Sequence, residues 1–393
     1  KMKFLRDFLD KQKPQFEKGG RFEKLHSTFD AFETFLFVPD KVTTTGAHFR
    51  DAIDLKRTMS VVIIAMLPAL LFGIWNVGYQ HFLSLGQSPG FWPVVFYGLL
   101  KVLPIVIVSY VAGLGAEFIF AQSRGHEVNE GYLVSGMLIP LVMPVDIPLW
   151  MVAVASIFAV VIGKETFGGT GMNVFNPALL ARAFVFFAYP AKITGDTIWI
   201  GGLSKAEGVV DGFSGATPLS YAASGVMDKL PSMSDLFFGF VPGSIGETSK
   251  LAILIGAFVL IATGIGSWRI ILSSILGGVS MSLIFNLFAA NEYMKLDPMT
   301  QIMMGSFLFG TVFMATDPVT ASQTNKGKWI YGFLIGFFAI MIRVFNPAYP
   351  EGTMLAILLM NAFAPLIDFY VVEANIKKRL KRASLGVKPL KQN

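Results

Sequence analysis

Long apolar stretches separated by short polar segments dominate the chain between residues 57 and 372. A helix needs about 20 apolar residues to cross the hydrocarbon core of a bilayer. The apolar stretches predict ten such helices, at residues 57–77, 99–121, 131–145, 147–163, 176–190, 251–267, 270–290, 301–316, 329–345 and 352–372. The pattern therefore predicts an all-α integral membrane protein in which several spans are short or broken.

The polar segments predict how these spans are oriented. Residues 1–56 carry many charges and no apolar run of spanning length, and residues 373–393 contain seven basic side chains. Basic residues concentrate on the cytoplasmic side of membrane proteins, so we expect both termini in the cytoplasm. With ten spans, the Gly- and Ser-rich segment 191–247 follows the fifth span and is therefore expected on the outer side.

Composition agrees with a bilayer protein and excludes several kinds of chemistry. Hydrophobic residues make up 53% of the chain and charged residues 15%, whereas soluble domains average about 25% charged. Cysteine is absent, which rules out disulfides, iron–sulfur ligation and thiolate chemistry on this chain. The four histidines show no metal-binding spacing. The basic residues concentrate at the two ends, so membrane orientation explains the net charge of +6 better than nucleic-acid binding.

The pentapeptide VFNPA occurs twice, at Val174–Ala178 and Val344–Ala348. The first copy follows the fourth predicted span at the inner face, and the second follows the ninth at the outer face. This placement predicts two inverted five-helix repeats, residues 57–190 and 248–372, an arrangement typical of proteins that hold a ligand or ion near the midplane. Asn–Pro also suits a helix start. Chance repetition in a chain rich in Phe and Pro is the alternative.

The segment DGFSGATP, residues 211–218, carries the most informative chemistry. From its residues alone it is a Gly-rich turn with one acid and two hydroxyls. Its pattern resembles the signal by which a flavin transferase attaches FMN to a threonine through a phosphoester, here Thr217. The residues that match are Asp211, Gly212, Ser214, Gly215, Ala216 and Thr217. The glycines let the backbone fold tightly into an enzyme's pocket, and Thr217 supplies the acceptor oxygen.

Seven segments in the same order extend this resemblance over essentially the whole chain. They are HFRDAIDLKR (48–57), HEVNEG (126–131), KETFGGTGMNVFNPALLARAF (164–184), DGFSGATPLS (211–220), PGSIGE (242–247), MATDPVTAS (314–322) and VFNPAYPEGTMLAILL (344–359). The chain resembles the NqrB/RnfD family of flavin-carrying membrane subunits. One branch belongs to sodium-translocating NADH:quinone oxidoreductases, and its paralogue in a ferredoxin-oxidising complex shares the flavin motif and topology. The charged N-terminal segment and the fit of HFRDAIDLKR favour the quinone-reductase branch.

The resemblance implies an electron-transfer role in a bacterial inner membrane. Electrons would pass from covalent FMN to riboflavin and then to ubiquinone or menaquinone, coupled to outward Na⁺ translocation. The implied partners are a flavin transferase, membrane lipid, and the other members of a six-subunit complex: an NADH-oxidising flavoprotein, an outer-side FMN subunit and membrane iron–sulfur subunits. The sequence has no nicotinamide fingerprint in a strand–turn–helix setting, so NADH is expected to bind elsewhere.

The resemblance also implies roles for individual residues. The riboflavin contacts would be Asn173 and Asn176, and quinone effects would centre on Gly113, although AGLGAE stands where a Gly-Gly pair would be expected. The implied sodium path comprises Glu117, Asp317, Asp368, Phe309 and Phe313. From the residues alone, a helix-breaking turn explains the glycines before Asn173 equally well. Solvation, or pairing with Arg182, Lys101 or Arg343, is the alternative for the acids.

A passive channel or transporter is the competing functional class. Paired NPA motifs and inverted repeats also occur in solute channels. A channel has no use for DGFSGAT, so covalent flavin fluorescence on a denaturing gel separates the two classes.

Overall fold

The computed structural model defines most of the chain. It describes residues 3–17, 19–22, 26, 29, 33, 37, 45–46, 55–124, 131–203, 214–346, 349 and 351–386. Asp211 and Gly212 of the flavin motif lie outside the described residues, as do residues 48–54 and 126–130 of two family-like segments. All regular elements within the described residues are helical.

Fourteen helices follow one another along the described chain. They are α1 (Lys3–Gln12), α2 (Leu55–Ser84), α3 (Phe91–Arg124), α4 (Gly131–Leu141), α5 (Leu149–Val161), α6 (Pro177–Ala188), α7 (Pro218–Ala223), α8 (Met233–Phe238), α9 (Lys250–Ala262), α10 (Trp268–Phe288), α11 (Pro298–Met303), α12 (Phe307–Phe309), α13 (Asn325–Phe345) and α14 (Thr353–Gly386). A π-helical turn, Gly310–Met314, directly follows α12. Short 3₁₀ turns occupy Lys13–Gln15, Glu165–Phe167, Pro190–Lys192, Met227–Lys229 and Glu292–Lys295.

Among the described residues, six helical segments are long and apolar enough to cross a membrane. They are Leu55–Ser84, Phe91–Arg124, Leu149–Phe167, Trp268–Phe288, Asn325–Phe345 and Thr353–Ala383. These segments coincide with the first, second, fourth, seventh, ninth and tenth predicted spans, which are thereby confirmed as helices of spanning length. The chain is a multi-pass, all-helical membrane protein.

The other four predicted spans are short or broken. α4, α6 and α9 are apolar helices of 11, 12 and 13 residues, too short to cross about 30 Å of hydrocarbon alone at 1.5 Å per residue. The eighth predicted span, residues 301–316, is divided among the end of α11, α12 and the π turn. An arrangement of ten spans in two inverted five-helix repeats therefore remains a prediction.

Small residues bring the long helices into close contact. On α13, Gly336 lies against the backbone carbonyl of Ser274 on α10, and a Cβ at Gly277 of α10 would collide with the carbonyl of Phe333. The faces turned away from the protein carry exposed large apolar side chains, such as Leu71 and Val111. Without water to drive helices together, such close backbone approach is how membrane helices pack.

The break in the eighth predicted span is held by two buried cations. Gly305 adopts a φ of +60°, in the left-handed region that favours glycine, and separates α11 from α12. Lys250 donates a hydrogen bond to the Gly305 carbonyl at 3.1 Å, and Arg343 donates to the Met304 carbonyl at 3.3 Å. Backbone carbonyls freed by a broken helix need partners in a bilayer, and these side chains provide them.

The two VFNPA copies have different local structures. Asn176 caps α6, because its side-chain oxygen accepts hydrogen bonds from the N–H groups of Ala178 and Leu179, and Pro177 occupies the first helical position. This confirms the helix start predicted for the first copy. Asn346 of the second copy follows the end of α13, and the next helix begins only at Thr353.

Candidate functional site

A cavity of about 400 Å³ lies beside the flavin-motif threonine, and we name it the Thr217 cavity. Its volume falls within the roughly 300–1,000 Å³ typical of small-molecule sites. Trp199 and Phe186 contribute aromatic surface to the wall. Charged side chains of α6, α9 and the loops before α9 and α14 also reach it: Arg182, Glu247, Lys250 and Glu351. The cavity therefore combines ligand size with an unusual concentration of buried charge.

Thr217 is the N-cap of the short helix α7. Its Oγ1 accepts a hydrogen bond from the Ser220 N–H at 3.2 Å, and Pro218 takes the first helical position. In this N-cap the Thr217 oxygen accepts a hydrogen bond through a lone pair, and the Thr217 hydroxyl proton is not used. Because an ester oxygen keeps a lone pair, replacing that proton by a phosphoryl group is compatible with the cap.

The rest of the described flavin motif is fixed against residues 196–203. A Cβ at the buried Gly215 would collide with the Asp196 carbonyl and would lie 2.5 Å from the Leu203 side chain. Asp196 also accepts a hydrogen bond from the Ser220 hydroxyl at 2.8 Å. Ser214 is exposed, and its Oγ accepts from the Ala216 N–H at 3.3 Å. The threonine is thus presented from a well-anchored turn.

Five charged side chains form a buried cluster between this cavity and the broken segment. We call it the buried charge cluster: Arg182, Glu247, Lys250, Arg343 and Glu351, each at most 8% exposed. Arg182 pairs with Glu351 and donates to the Val142 carbonyl at 2.5 Å. Lys250 donates to three backbone carbonyls, those of Glu247 at 2.7 Å, Thr248 at 3.3 Å and Gly305 at 3.1 Å. The cations therefore serve mainly as caps for backbone oxygens.

The two carboxyl groups of the cluster differ in proton affinity. Burial, reinforced by the negative charge of Glu351, raises the pKa of Glu247 from about 4.5 to about 7. Burial acts in the same direction on Glu351, but the Arg182 guanidinium outweighs it and lowers the pKa of the Glu351 carboxyl. One member of the pair is thus poised to bind a proton near neutral pH.

A second, smaller cavity of about 80 Å³ lies around Asp317, and we name it the Asp317 cavity. Asn173, Asn176 and Phe313 line it with Asp317. The Asp317 carboxylate accepts from the Thr320 hydroxyl at 3.0 Å and from the Asn176 amide at 3.4 Å. Asn173 donates to a neighbouring backbone carbonyl, that of Phe175, at 3.1 Å. The implied riboflavin does not fit here, because the volume is far below ligand size and the amides serve internal bonds.

Two of the implied sodium-path acids have structural partners. Glu117 forms a buried ion pair with Lys164, which is not among the basic partners that sequence reasoning considered. The Asp368 carboxylate accepts hydrogen bonds from the hydroxyls of Ser322 at 2.7 Å and Thr324 at 2.6 Å, and from the Gln323 N–H at 2.6 Å. Asp368 therefore fixes the loop that precedes α13.

The implied aromatic constriction lies in the broken segment. Phe309 and Phe313 are buried, their ring centroids are 5.0 Å apart, and the π turn carries Phe313. A Cβ at Gly246 would lie 3.0 Å from the Phe309 ring, and one at Gly256 would lie 2.5 Å from Cζ of the Phe313 ring. Such π turns occur often at functional sites.

Three short elements connect the two cavities, because each one contributes a residue to both. The Thr217 cavity is lined by Arg182 of α6, Lys250 of α9 and Gly305 of the broken segment. The Asp317 cavity is lined by the α6 cap Asn176, by Leu260 of α9 and by Phe313 of the broken segment. The residues that sequence reasoning singled out thus divide between two ends of one set of broken or short helices. Phe309 lies between those ends on the third element.

Gly113, the implied quinone residue, packs against an aromatic ring. A Cβ at this position would overlap the ring and hydroxyl of Tyr132, which is fully buried. The Tyr132 hydroxyl donates to the Ser109 carbonyl at 3.0 Å. Any effect of a larger residue at position 113 would therefore act first through the displacement of Tyr132.

The buried charge cluster was not predicted as a unit from the sequence. Arg182 and Arg343 were considered only as possible partners of the sodium-path acids, and Glu247, Lys250 and Glu351 were not considered. The available signal was the presence of charged residues inside or beside apolar stretches, which marks functional positions in membrane proteins.

Comparison with known proteins identifies the family. Residues 42–377 match the model of the NQR2, RnfD, RnfE family. A protein of Ectopseudomonas mendocina, named as the B subunit of Na(+)-translocating NADH-quinone reductase, is 48% identical over 411 residues, covering 96% of this chain and 99% of that protein. Proteins of the same name from Pseudomonas aeruginosa and Azotobacter vinelandii are 47% and 48% identical over 407 residues, again covering 96% of this chain and 99% of each relative. The chain belongs to the NQR2, RnfD, RnfE family.

Proposed function

We propose that the chain is the flavin-bearing membrane subunit of a sodium-translocating NADH–quinone reductase. It carries FMN on Thr217 and takes part in electron transfer to quinone, coupled to outward Na⁺ translocation. The observation that carries the proposal is the position of Thr217, which caps α7 at a ligand-sized cavity within a motif that resembles a flavin-attachment signal. The names of the relatives support the same assignment.

The residues around Thr217 fit covalent FMN. Thr217 would hold the phosphate through its Oγ1, and the cavity beside it would receive the isoalloxazine ring. FMN, when bound, supplies a ring that accepts one or two electrons. Trp199 and Phe186 provide apolar surface for a planar ring, while the cluster residues Arg182 and Lys250 place positive charge near it. The protein's part is to anchor the ring, exclude water and tune its charge.

No electron-transfer step is assigned to the Asp317 cavity. Asn173 and Asn176 remain the residues that the family resemblance implies for riboflavin, but their amides are engaged within the protein. A flavin there would require a wider arrangement of the three connecting elements. We assign Asp317 instead to Na⁺, since a half-buried carboxylate between hydroxyl and amide groups offers oxygen ligands to a hard cation.

The broken segment is the proposed route between the cavities. Phe309 and Phe313 lie along this segment between Gly305, which lines the Thr217 cavity, and Asp317, which lines the other. A π turn and a glycine break give this segment weaker helical hydrogen bonding than a continuous helix. We propose that movement of these two rings opens the path for the cation. Glu117 and Asp368 would support the path structurally. Glu117 pairs with Lys164, and Asp368 fixes the loop before α13.

The proposed setting is a six-subunit complex in a bacterial inner membrane, with both termini in the cytoplasm. NADH oxidation falls to a partner flavoprotein, and an outer-side FMN subunit and membrane iron–sulfur subunits complete the route. A flavin transferase modifies Thr217 on the outer side. Quinone, either ubiquinone or menaquinone, reacts near Gly113, whose packing against Tyr132 makes that region sensitive to added bulk.

In-gel flavin fluorescence tests the attachment. Complex purified from native membranes should give a fluorescent band for this polypeptide after denaturation, and Thr217→Ala should abolish the fluorescence completely. Ser234→Ala is the matched control, because Ser234 is an exposed hydroxyl outside the motif and its loss should leave the fluorescence in place. Fluorescence that persists in Thr217→Ala would reject the proposed attachment site.

The RnfD-type subunit of a ferredoxin-oxidising complex is the second candidate, because the matching family model includes that branch. Both candidates predict the fluorescent band. Quinone-dependent oxidation of NADH by the intact complex separates them, since only the quinone reductase requires quinone. The relatives named above all carry the name of the quinone reductase, which favours the first candidate.

A further inference from the structure

Two buried carboxyl groups face the same cavity from two different loops. Glu247 lies three residues before α9, and Glu351 lies two residues before α14. Each is 8% exposed, and both line the Thr217 cavity. Neither belongs to the sodium path that the family resemblance implies.

Each carboxyl group has one satisfied oxygen and one oxygen with no partner. Glu247 Oε1 accepts from the Ser244 N–H at 3.0 Å, and Glu351 Oε2 accepts from Arg182 and from the Tyr349 hydroxyl at 3.0 Å. Within the described part of the chain, Glu247 Oε2 and Glu351 Oε1 are buried and have no donor at hydrogen-bond geometry, and the Ser306 hydroxyl is a further neutral donor beside the Glu351 carboxyl. Buried polar atoms are almost always paired, so the two oxygens require an explanation.

The surrounding charged groups do not supply the missing donors. The titratable groups that face the pair are Arg182 from α6, Lys250 from α9, Arg343 from α13, and Tyr349. Tyr293, from the Glu292–Lys295 turn, faces Arg343. Lys250 gives its hydrogen bonds to three backbone carbonyls, and Arg343 gives its own to the carbonyls of Gln301, Met304 and Glu351. The two carboxyl groups are also close enough to interact directly.

We propose that Glu247 and Glu351 form a proton-binding site in which the two carboxyl groups share one proton. A single proton turns one carboxylate into a donor, and its hydrogen bond to the other carboxylate satisfies both orphan oxygens together. Burial raises the pKa of Glu247, and the negative charge of Glu351 raises it further, while Arg182 and Lys250 oppose both effects in part. The pair then titrates as a unit.

The site has a consequence for charge in the cavity, which rests on the proposed function. With both carboxylates ionised the buried charge cluster has one excess positive charge, and the shared proton adds a second. An electron that enters the Thr217 cavity adds negative charge there. This charge raises the proton affinity of the Glu247–Glu351 pair, which then takes up one H⁺ from the solvent. When the electron leaves, the pair releases that H⁺, so charge and protons balance over one cycle.

Infrared difference spectroscopy of the intact purified complex tests the site directly. Lowering the pH through about 7 should produce the C=O band of a protonated carboxyl group, and that band should shift in D₂O. Glu247→Gln should remove the band. The matched control is Glu292→Gln, because Glu292 is exposed and pairs with Lys295 in an i,i+3 arrangement at the surface. This control should keep the band unchanged.

Three outcomes would overturn the proposal: no pH-dependent carboxyl band, a band that survives in Glu247→Gln, or a band that responds to Na⁺ at fixed pH and not to D₂O. The last result would make the pair a sodium site. Should Glu247→Gln fail to assemble, Glu247→Asp is the second variant: it keeps a carboxyl group at this position and should move the band, and an unmoved band would overturn the proposal.

The complex that carries the Thr217→Ala substitution tests this proposal and the proposed function separately. Its pH-dependent band should persist, while the change of that band on reduction with NADH should be lost. A Thr217→Ala complex that still carries covalently bound flavin on this chain contradicts the proposed function and leaves the proton site to be judged on its own band.

Discussion

The Thr217 cavity and the Asp317 cavity belong to the same three short elements but are built in opposite ways. The first has about 400 Å³ of space and two buried carboxyl oxygens without a donor. The second has about 80 Å³, and the polar groups that line it are engaged within the protein: Asn176 binds Asp317, and Lys164 pairs with Glu117. A site of the first kind is preformed for a ligand, whereas one of the second kind is closed until neighbouring groups move.

The difference also lies in what the charges do. Around the Thr217 cavity, Arg182 and Lys250 cap backbone carbonyls that a broken bundle leaves exposed. Around the Asp317 cavity, a helix cap and a hydroxyl satisfy the single acid. Removing Arg182 should therefore damage the first region through uncompensated charge, whereas removing Phe313 or the Asn176 cap should damage the second through packing and capping.

Loss of Arg182 should have the largest effect. Arg182→Ala leaves Glu351 buried without its ion-pair partner, which typically costs about 3–5 kcal/mol. We expect loss of assembled complex in membranes, measured by immunoblot after native electrophoresis. The double variant Arg182→Met with Glu351→Gln should recover part of the assembly, because it removes both charges.

Lys101→Ala is the control for this prediction. Lys101 pairs with Asp146 at 3.2 Å and is about one-third exposed, so its loss should change stability by at most about 1 kcal/mol. Equal damage from Lys101→Ala and Arg182→Ala would remove the proposed distinction between a buried and a peripheral ion pair.

Truncation of Phe313 should have a comparable or slightly smaller effect, with a different signature. Phe313→Ala removes a buried ring beside Gly256, and such truncations typically cost about 3–5 kcal/mol unless the site collapses. Where the complex assembles, we expect Na⁺ transported per NADH to fall while flavin content stays constant. Transport in proteoliposomes measures the first and absorbance the second.

Phe288→Ala serves as the matched control, because Phe288 is 77% exposed at the end of α10. It should leave the Na⁺ ratio unchanged. An unchanged ratio in Phe313→Ala would argue against the ring as part of the path.

Loss of the Asn176 cap should have a moderate effect. Asn176→Ala removes the cap of α6 and the amide that donates to Asp317, and caps are worth about 1 kcal/mol. We expect weaker activation of quinone reduction by Na⁺, measured as a higher Na⁺ concentration at half-maximal rate. Asn176→Ser keeps a capping oxygen but removes the amide donor without adding a charge beside Asp317. It should retain stability and still lose Na⁺ activation.

The smallest expected effect is a change in how steeply the thermal stability of the complex depends on pH when Glu247 is replaced. A carboxyl group whose pKa rises on folding binds its proton more tightly in the folded state. The contribution of Glu247 is therefore fully present below its ordinary pKa near 4.5 and is lost as the pH rises through about 7. The thermal stability of the complex should fall over this window, and Glu247→Gln should flatten the fall. A parallel curve in the variant would exclude Glu247 as the group responsible.

The sequence predicted the long helices well and the cavities poorly. Hydropathy alone located Leu55–Ser84 and the other helices of spanning length, because a bilayer imposes length and apolarity locally. The break at Gly305 was not predicted as such. It depends on donors from Lys250 and Arg343, which lie far away in sequence.

In the candidate site, too, the features with a local sequence signal were predictable and those made by distant contacts were not. Thr217 was found from a short motif, whereas the Arg182–Glu351 pair joins residues 169 positions apart and has no local signal. The ion pair between Glu117 and Lys164 likewise could not be predicted from the sequence, because only the folded structure brings these two side chains together. Contacts of this kind are set by helix packing, which periodicity does not specify.

The most direct test of the central claim is the mass of the peptide that contains Thr217, released from complex in its native membrane. We expect an added FMN, bound through its phosphate to the Thr217 oxygen and absent from Ser214. An unmodified Thr217 in complex that still reduces quinone would contradict the claim.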